Sequence, residues 1–553
     1  MSILGKKWIV KNRNKAATTL EKLFENRKHM DFDEELEFHD PFLFEDMVKA
    51  IKRIKEAIDK EERIIVFGDY DVDGITGTAI LVHILNKLNA KVSYRLPNRV
   101  TDGYGISEKF IKDFVENKVG LIITTDCGIS NADLIAEAKD KGIDFIVTDH
   151  HAIPENIPDA AAIIHPKLEG SEYPYKELTG AGVALKLAQG LIQEFIPEEK
   201  TLFHDFMDLA AMGTVADLGP LTGENRLIVK EGLKRLAQTK WVGLKKLMQL
   251  ASIKTNMPLD TAAIGFRIAP RINAAGRIDD PYVALTLLLQ DKLNEKVDRL
   301  SQKLEALNLK RQEMTFEGML EAEERLSHAR PFPKIIIDSN TEWHVGILGL
   351  IAGRLTEQHA RPTIIMQDLG DTLVASARGP QFFNIVEALT ANKKHLIAFG
   401  GHAQAAGFSL KKKNLKAFTK DMNSYTEKKL KGHDLMPYLN IDCELDHKNL
   451  DLKFIKKLDK LRPFGIANER PTFVLKNIEP LFISQVGKEK SHLKFNLSLN
   501  DKDIGVIAFR MGKHVDTMRR HRKIDLVFQI EKNVWNNRES VQLHALDFRK
   551  SEG

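Results

Sequence analysis

A set of aspartates and histidines in the first half of the chain has the residue types of a metal-dependent hydrolytic site. Its members are Asp69, Asp71, Asp73, Asp126, Asp149, His150, His151 and Asp217. Such groups can hold two divalent cations a few Å apart, which activate water and stabilise both oxygens in displacement at phosphorus. Because oxygen donors outnumber histidines, the set favours Mn²⁺ or Mg²⁺ over zinc. We therefore predict two divalent cations, Mn²⁺ or Mg²⁺, as cofactors.

Most of these residues come directly after short apolar runs. The runs span residues 64–67, 121–124 and 145–148, and helical patterns over 76–88 and 132–141 separate them. This alternation is typical of βα units in a parallel sheet. Any one segment could be a turn or a loop. However, the carboxyl ends of parallel strands meet at one edge of the sheet, so three such segments together predict a single crevice.

Further along the chain, the elements form a second α/β unit and a β-rich tail. Leu293, Val297, Leu300, Leu304 and Leu307 recur at helical spacing and predict an amphipathic connecting helix. Strand-like runs at 335–337, 363–366 and 373–375 come next, and the unit closes on a glycine-rich stretch at 399–407. The tail has strand-like runs at 472–475, 493–499, 504–509 and 524–530.

Composition limits the class of protein. A chain of 553 residues exceeds what one core usually organises, so roughly three or four domains are expected. No apolar run reaches the length of a membrane span, and the first residues do not resemble a secretory signal. Two cysteines fit a reducing compartment, so we expect a soluble cytoplasmic protein. The net charge of +5 is too balanced to indicate a polyanionic partner by itself.

Several motifs resemble those of a known superfamily. Asp71-Val72-Asp73-Gly74, Thr125-Asp126-Cys127-Gly128, Asp149-His150-His151 and the run from Gly213 to Asp217 look like the four signature motifs of the DHH phosphoesterases, in order. Two later stretches, from Arg271 to Arg277 and from Gly400 to Gly407, resemble motifs of the RecJ branch. The resemblance covers about residues 45–550.

The resemblance implies an α/β architecture with several parts. After an N-terminal extension (1–44), it implies a parallel-sheet DHH catalytic domain (45–287), a long connecting helix (288–330), a second α/β domain of the DHHA1 type (331–432) and a C-terminal β-barrel of the OB type (438–553).

It also implies roles for the acidic and histidine residues. Asp71, Asp73, Asp126, His150 and Asp217 would be metal ligands, with Asp126 bridging both ions, and His151 would face the scissile phosphate or support the ligands. Small phosphatase relatives carry a histidine where this chain has Phe67. Asp69 fills that gap, as in RecJ proteins, and would bind metal directly or through water.

Other matched positions would hold the nucleic acid. Arg99, followed by Gly103-Tyr104-Gly105, and Ser376 with Arg378 match positions associated with a 5′-phosphate, and arginine suits phosphate recognition. Arg277, Gln312 and Arg354 match positions along the strand's path, although Gln312 and Arg354 equally fit surface polar roles. His402 lies in the glycine-rich stretch. Phe464, Phe495, Phe509 and Trp535 are aromatic residues of the tail, where a core role is equally expected for each.

These assignments imply an exonuclease that degrades single-stranded DNA from its 5′ end to mononucleotides, in DNA repair and recombination. Single-stranded DNA would be the substrate and the protein a monomer, with a helicase and a single-strand-binding protein as further partners and no membrane. One alternative is a hydrolase of short oligonucleotides or cyclic dinucleotides, but such relatives carry the upstream histidine and usually lack the tail. The other is a DNA-binding scaffold without catalysis, but such relatives have lost metal ligands that this chain keeps.

Overall fold

The structure, a computed structural model, describes residues 2–28, 30, 36–99, 102–103, 105–499, 502–535 and 538–552. Across these ranges the strands form two five-stranded sheets and one eight-stranded sheet. Within the same ranges, no helix combines the length and the apolar character needed to cross a bilayer.

The N-terminal segment contains strand β1 (Lys7–Asn12) and helix α1 (Thr19–Asn26), where Thr18 and Glu21 form a capping box. The sequence predicts this segment to be an extension ahead of the catalytic domain. Strand β1 pairs in parallel with β12 (Tyr438–Glu444), the first strand of the tail, and the eight-stranded sheet that contains them also contains β18 (Arg538–Lys550).

The first α/β unit contains the predicted parallel sheet, and this expectation is confirmed. Its strands are in the order β3-β2-β4-β5-β6 and all pair in parallel. The elements are α2 (Met47–Asp59), β2 (Arg63–Gly68), α3 (Val72–Lys87), β3 (Val92–Arg95), α4 (Glu108–Glu116), β4 (Val119–Thr125), α5 (Ala132–Asp140), β5 (Asp144–Thr148), β6 (Ala162–Ile164) and α6 (Gly180–Phe195). Strands β2, β4 and β5 are almost wholly buried, because helices cover both faces of the sheet.

A helical layer completes this unit. It comprises α7 (Met207–Ala216), α8 (Gly223–Leu236), α9 (Val242–Leu250), α10 (Ala269–Ile278) and α11 (Tyr282–Leu288). Its apolar faces join the sheet in one core cluster. Helix α7 is buried nearly all round, which explains its run of small and apolar residues. The helical pattern predicted from Phe203 begins in a 3₁₀ segment, Pro197–Phe206, and becomes α-helical at Met207.

The predicted connecting helix is α12 (Glu295–His328), which begins at Asn294, whose side chain accepts a hydrogen bond from the N–H of Val297. Val297, Leu304 and Leu307 pack into the core of the first unit, and Ala322 and Leu326 pack into a core of the second. One continuous helix therefore fixes the spacing between the two units.

The second α/β unit has a mixed sheet in the order β10-β11-β9-β8-β7. Its elements are β7 (Ile336–Asn340), α13 (Val345–His359), β8 (Thr363–Asp368), β9 (Thr372–Arg378), α14 (Ile385–Ala391), β10 (Leu396–His402), β11 (Ala405–Lys411) and α15 (Leu415–Lys429). The glycine-rich stretch forms the hairpin of β10 and β11, in which His402 pairs with Ala405.

The tail has an eight-stranded sheet in the order β1-β12-β13-β17-β18-β16-β15-β14. Its elements are β12 (Tyr438–Glu444), α16 (Leu452–Leu458), β13 (Phe473–Ile478), β14 (Pro480–Val486), β15 (His492–Leu499), β16 (Lys502–Ala508), α17 (Val515–Arg519), β17 (Ile524–Trp535) and β18 (Arg538–Lys550). Strands β1, β12, β14 and β18 were not predicted. That the sheet closes into a barrel stays a prediction.

Candidate active site

Three of the carboxylates lie in the tight turn between β2 and α3 and in the first turn of α3. Asp71 is the N-cap of α3, and its Oδ1 accepts hydrogen bonds from the N–H groups of Asp73 and Gly74 at 2.9 and 3.2 Å. A Cβ on Gly74 would lie 2.6 Å from the backbone nitrogen of Asp69, so only glycine permits this close turn. The turn therefore places Asp69, Asp71 and Asp73 at the carboxyl end of β2.

Asp73 is held by the N-terminus of α6. The N–H of Gly180 donates to Oδ2 at 2.6 Å, and the N–H of Ala181 and the hydroxyl of Thr179 donate to Oδ1 at 3.0 and 3.1 Å. Burial and the neighbouring charge of Asp71 nevertheless raise the pKa of Asp73 to about 7. Sequence reasoning missed this support, although a threonine followed by Gly-Ala-Gly before an apolar helix is a recognisable helix start.

Asp126 comes after β4 in a left-handed backbone conformation, with φ of 63°. Such a conformation is uncommon for a residue other than glycine, and aspartate and asparagine tolerate it better than most. A Cβ on Gly180 would lie 2.5 Å from the Cβ of Asp126, so α6 also presses against this carboxylate. Burial, followed by the charges of Asp73 and other carboxylates, raises the pKa of Asp126 well above its usual value.

The histidine pair comes after β5 and is oriented by Asp149. Nδ1 of His151 lies 2.7 Å from Oδ1 of Asp149, which also accepts from the N–H of His150. Burial opposes charge on both partners, but this hydrogen bond outweighs it, raising the pKa of His151 to about 9 and lowering that of Asp149 to about 2. Burial and the charge of His151 lower the pKa of His150 to about 3. Asp149 therefore supports the site by orienting His151.

The predicted ligands converge. Three groups of residues each have candidate ligand atoms within 4.8 Å of one another. The groups are Asp69, Asp71 and Asp126; Asp73, His150 and Asp217; and Asp126, His150 and His151. Asp126 belongs to two of them. Nε2 of His150 lies 3.0 Å from Asp126 Oδ1, 3.7 Å from Asp217 Oδ2 and 3.8 Å from Asp73 Oδ2.

The donor set fits divalent cations. Oδ1 of Asp69 is buried without a hydrogen-bond partner among the described residues. Burial and mutual repulsion also raise the pKa of Asp69 well above its usual value and that of Asp217 to about 8. A low-dielectric cluster of carboxylates is costly unless positive charge enters it, and bound cations would supply that charge.

Arginines gather next to this cluster. Nη1 of Arg378 donates to Oγ of Ser376 at 3.0 Å, and Nη1 of Arg277 donates to the carbonyl of Gly346 at 3.1 Å. Burial, and then the charges of Arg99, Arg311 and Arg378, lower the pKa of Arg277 to about 9. Burial followed by the charge of Arg99 also lowers the pKa of Arg378. These guanidinium groups therefore repel one another in a partly desolvated bay that suits an anion.

The other residues predicted to contact the nucleic acid are more exposed than these arginines. Gln312 and Arg354 are exposed on α12 and α13, whereas Arg311, which sequence reasoning missed, is half-buried and has an Nε without a hydrogen-bond partner in the described structure. Its only signal in the sequence was its position beside Gln312. His402 lies across the cleft, with its ring centroid 6.4 Å from that of His151.

The tail aromatics divide between core and surface. Phe495 is buried in the core of the tail, and Phe464 packs against that core. Phe509 is 48% exposed and contacts the rings of His492 and His544 edge-on. Tyr104 and the side chain of Trp535 lie outside the described residues.

The domain composition agrees with three family models. Residues 63–214 match the DHH family N-terminal domain, residues 333–428 match the DHHA1 domain, and residues 441–547 match the RecJ OB domain. The three matches fall in the first α/β unit, the second α/β unit and the tail respectively.

Curated relatives match over most of the chain. The single-stranded-DNA-specific exonuclease RecJ of Bacillus subtilis is 35% identical over 518 residues, which cover 93% of this chain and 65% of that protein. The RecJ protein of Thermus thermophilus is 34% identical over 507 residues, covering 91% and 71% respectively. The chain thus spans just under two thirds of the length of the Bacillus relative.

Solved structures agree in fold. The Thermus thermophilus RecJ crystallised with Mn²⁺ superposes with a TM-score of 0.82 at 30% identity, covering 96% of this chain and 76% of that one. A second exonuclease RecJ bound to manganese gives a TM-score of 0.62 at 35% identity, covering 71% and 98%.

Proposed function

Because the chain belongs to the RecJ family of DHH phosphoesterases, we propose that it is an exonuclease that hydrolyses single-stranded DNA in the 5′→3′ direction to mononucleotides. One observation carries the proposal. The carboxylate and histidine cluster of the first α/β unit opens onto the same cleft as Ser376, Arg378 and His402 of the second unit. The groups proposed for hydrolysis would therefore act beside the groups proposed for phosphate recognition.

Two divalent cations, Mn²⁺ or Mg²⁺, would be held by Asp69, Asp71, Asp73, Asp126, His150 and Asp217, with Asp126 shared. When bound, such ions supply an activated water and offset charge on the phosphate. His151, whose Nδ1 lies 2.7 Å from Oδ1 of Asp149, would hold a proton close to the scissile phosphate.

Arg99, Ser376 and Arg378 would recognise the 5′-phosphate, and Arg277, Gln312 and Arg354 would line the path of the strand. A terminal phosphate held beside the cations requires the 5′ end to enter first, which sets the polarity. The cleft between two units joined by α12 is suited to one strand rather than a duplex. Retention of all the proposed ligands argues against a scaffold that only binds DNA.

The proposal also covers the cellular role of the protein and its division into domains. We place the protein in DNA repair and recombination as a cytoplasmic monomer that receives single strands through a helicase and a single-strand-binding protein. The proposed division is 1–44, 45–287, 288–330, 331–432 and 438–553, although residues 7–12 of the first segment pair with the tail.

The test is digestion of internally labelled single strands that are blocked at either end, with Mn²⁺, with Mg²⁺ and with chelator. The proposal expects mononucleotide products that disappear with chelator and with a 5′ block, and little attack on blunt duplex. Degradation that survives a 5′ block but stops with a 3′ block would overturn the polarity.

A further inference from the structure

Tyr70 lies between two proposed metal ligands but has a different neighbour of its own. Its ring lies beneath the guanidinium of Arg99, whose Cζ is 4.4 Å from the ring centroid. This distance is well inside the range of cation–π attraction.

Arg99 has few polar partners among the described residues. Its Nε is buried without a hydrogen-bond partner, and no carboxylate forms an ion pair with it in the part of the chain that the structure describes. Arginine carries a long side chain with several rotatable bonds, so a group that limits its conformations stabilises one orientation of the guanidinium. The face of Tyr70 supplies that limit.

The backbone of Tyr70 packs directly against α10. A Cβ on Gly276 would lie 2.6 Å from the carbonyl oxygen of Tyr70 and 3.4 Å from its Cβ, so helix backbone and turn are in direct contact. The next residue of that helix is Arg277, another of the arginines that lie next to the carboxylate cluster. The same helix thus locates one arginine directly and a second through Tyr70.

We propose that Tyr70 is a positioning residue, which holds the guanidinium of Arg99 toward the bay formed with Ser376 and Arg378 and thereby sets the preference for a 5′-phosphorylated end. The inference rests on the proposed function, in which this bay receives the terminal phosphate. It assigns Tyr70 no contact with the reacting atoms.

The experiment compares kcat and KM for matched single strands carrying a 5′-phosphate or a 5′-hydroxyl. Tyr70→Leu should lower the preference for phosphate by roughly 2- to 30-fold, mainly through KM, and Tyr70→Phe should keep it because the ring face remains. Tyr70→Met fills a similar volume without a ring and should behave like Tyr70→Leu. Thermal unfolding of each variant identifies those that fold.

The Arg99→Ala background separates this inference from the proposed function. If Arg99→Ala lowers the preference and Tyr70→Leu adds nothing further to it, Tyr70 acts through Arg99. If Arg99→Ala lowers the preference but the folded Tyr70 variants keep it, or if Tyr70→Phe loses as much as Tyr70→Leu, the positioning role is wrong. If Arg99→Ala leaves the preference intact, recognition of the phosphate at this bay is wrong, and the inference fails with it.

Discussion

The imidazole ring of His402 faces that of His151 with a centroid distance of 6.4 Å and an interplanar angle of 14°. His402 ends β10 of the second α/β unit, and His151 comes just after β5 of the first. The pair therefore brings side chains of both units within reach of one phosphate.

His402→Ala should lower kcat/KM on single strands by roughly 10- to 100-fold, because a charge-assisted hydrogen bond to phosphate is worth about 1.5–3 kcal/mol. His402 is exposed, so the thermal midpoint should stay the same. His433→Ala, which removes an exposed histidine just after the second unit, is the control. Equal activities for His402→Ala and the control would contradict the assignment.

Asp126→Asn should abolish hydrolysis while keeping the fold. Asparagine tolerates the left-handed backbone at this position, whereas alanine would add strain. Without metal, the variant should be at least as stable as the wild type, because it lacks a buried carboxylate that its neighbours repel. Mn²⁺ should stabilise the variant less than the wild type, because the free energy of metal binding adds to the free energy of folding. Thermal scans with chelator and with Mn²⁺ measure both effects. Wild-type turnover in this variant would exclude Asp126 as a ligand.

Gly349→Ala should reduce the preference for a 5′-phosphate, because a Cβ there would lie 2.7 Å from Nη2 of Arg378 and 3.1 Å from Oγ of Ser376. Gly353→Ala is the matched control on the same helix, since a Cβ at Gly353 meets nothing within 4 Å. The control should retain activity and gain about 0.5–1 kcal/mol of stability from helix propensity. Competition between 5′-phosphate and 5′-hydroxyl strands measures the effect, and identical preferences in the two variants would refute it.

Arg226→Ala should weaken binding of long strands more than cleavage of bound ones. From α8, Arg226 donates to the carbonyls of Lys460, Leu461, Arg462 and Pro463 at 2.6–3.4 Å, and burial lowers its pKa to about 10. Its loss removes four hydrogen bonds between α8 and the tail, at a cost of roughly 1–3 kcal/mol, and loosens the tail against the catalytic unit, although Asn468 still donates to the carbonyls of Leu461 and Pro463. Deleting the tail from Asp442 onward would be a less specific test, because it would cut through β12, the strand that pairs with β1.

Strand-length dependence of the affinity and single-turnover cleavage would distinguish the two effects of Arg226→Ala. Arg235→Ala, on the exposed side of the same helix, is the control and should resemble wild type. A single-turnover rate that falls as far as the affinity would contradict the division of labour.

His83 should make folding stability depend on pH. Burial lowers its pKa to about 4, and its ring stacks on Trp241 at 4.3 Å. The unfolded chain therefore binds more protons between about pH 6.5 and pH 4, so the free energy of unfolding should fall as the pH decreases through that window, by on the order of 3 kcal/mol. His83→Phe should lose this part of the slope in denaturant titrations at about pH 7, 6, 5 and 4. An unchanged slope would show that His83 does not titrate differently in the two states.

The sequence alone predicted the parts of the fold that local patterns encode. Apolar runs ending in aspartate or histidine predicted β2, β4 and β5, because buried parallel strands need continuous apolar residues and present the next side chains at one edge of the sheet. Leucines at helical spacing predicted α12. Strand β1 was missed because its partner, β12, lies more than 400 residues away in the chain, and no local pattern encodes so distant a pairing.

For the site, the sequence determined the residue types and hence the predicted chemistry, in which carboxylates and histidines would hold cations and arginines would bind phosphate. Tertiary structure alone decided which groups support them. The N-terminus of α6 binds Asp73, Asp149 orients His151, and Tyr70 lies beneath Arg99. Spacing along the chain specifies which side chains a strand end presents, whereas the distances, burial and charges that tune those side chains arise only when separate elements pack together.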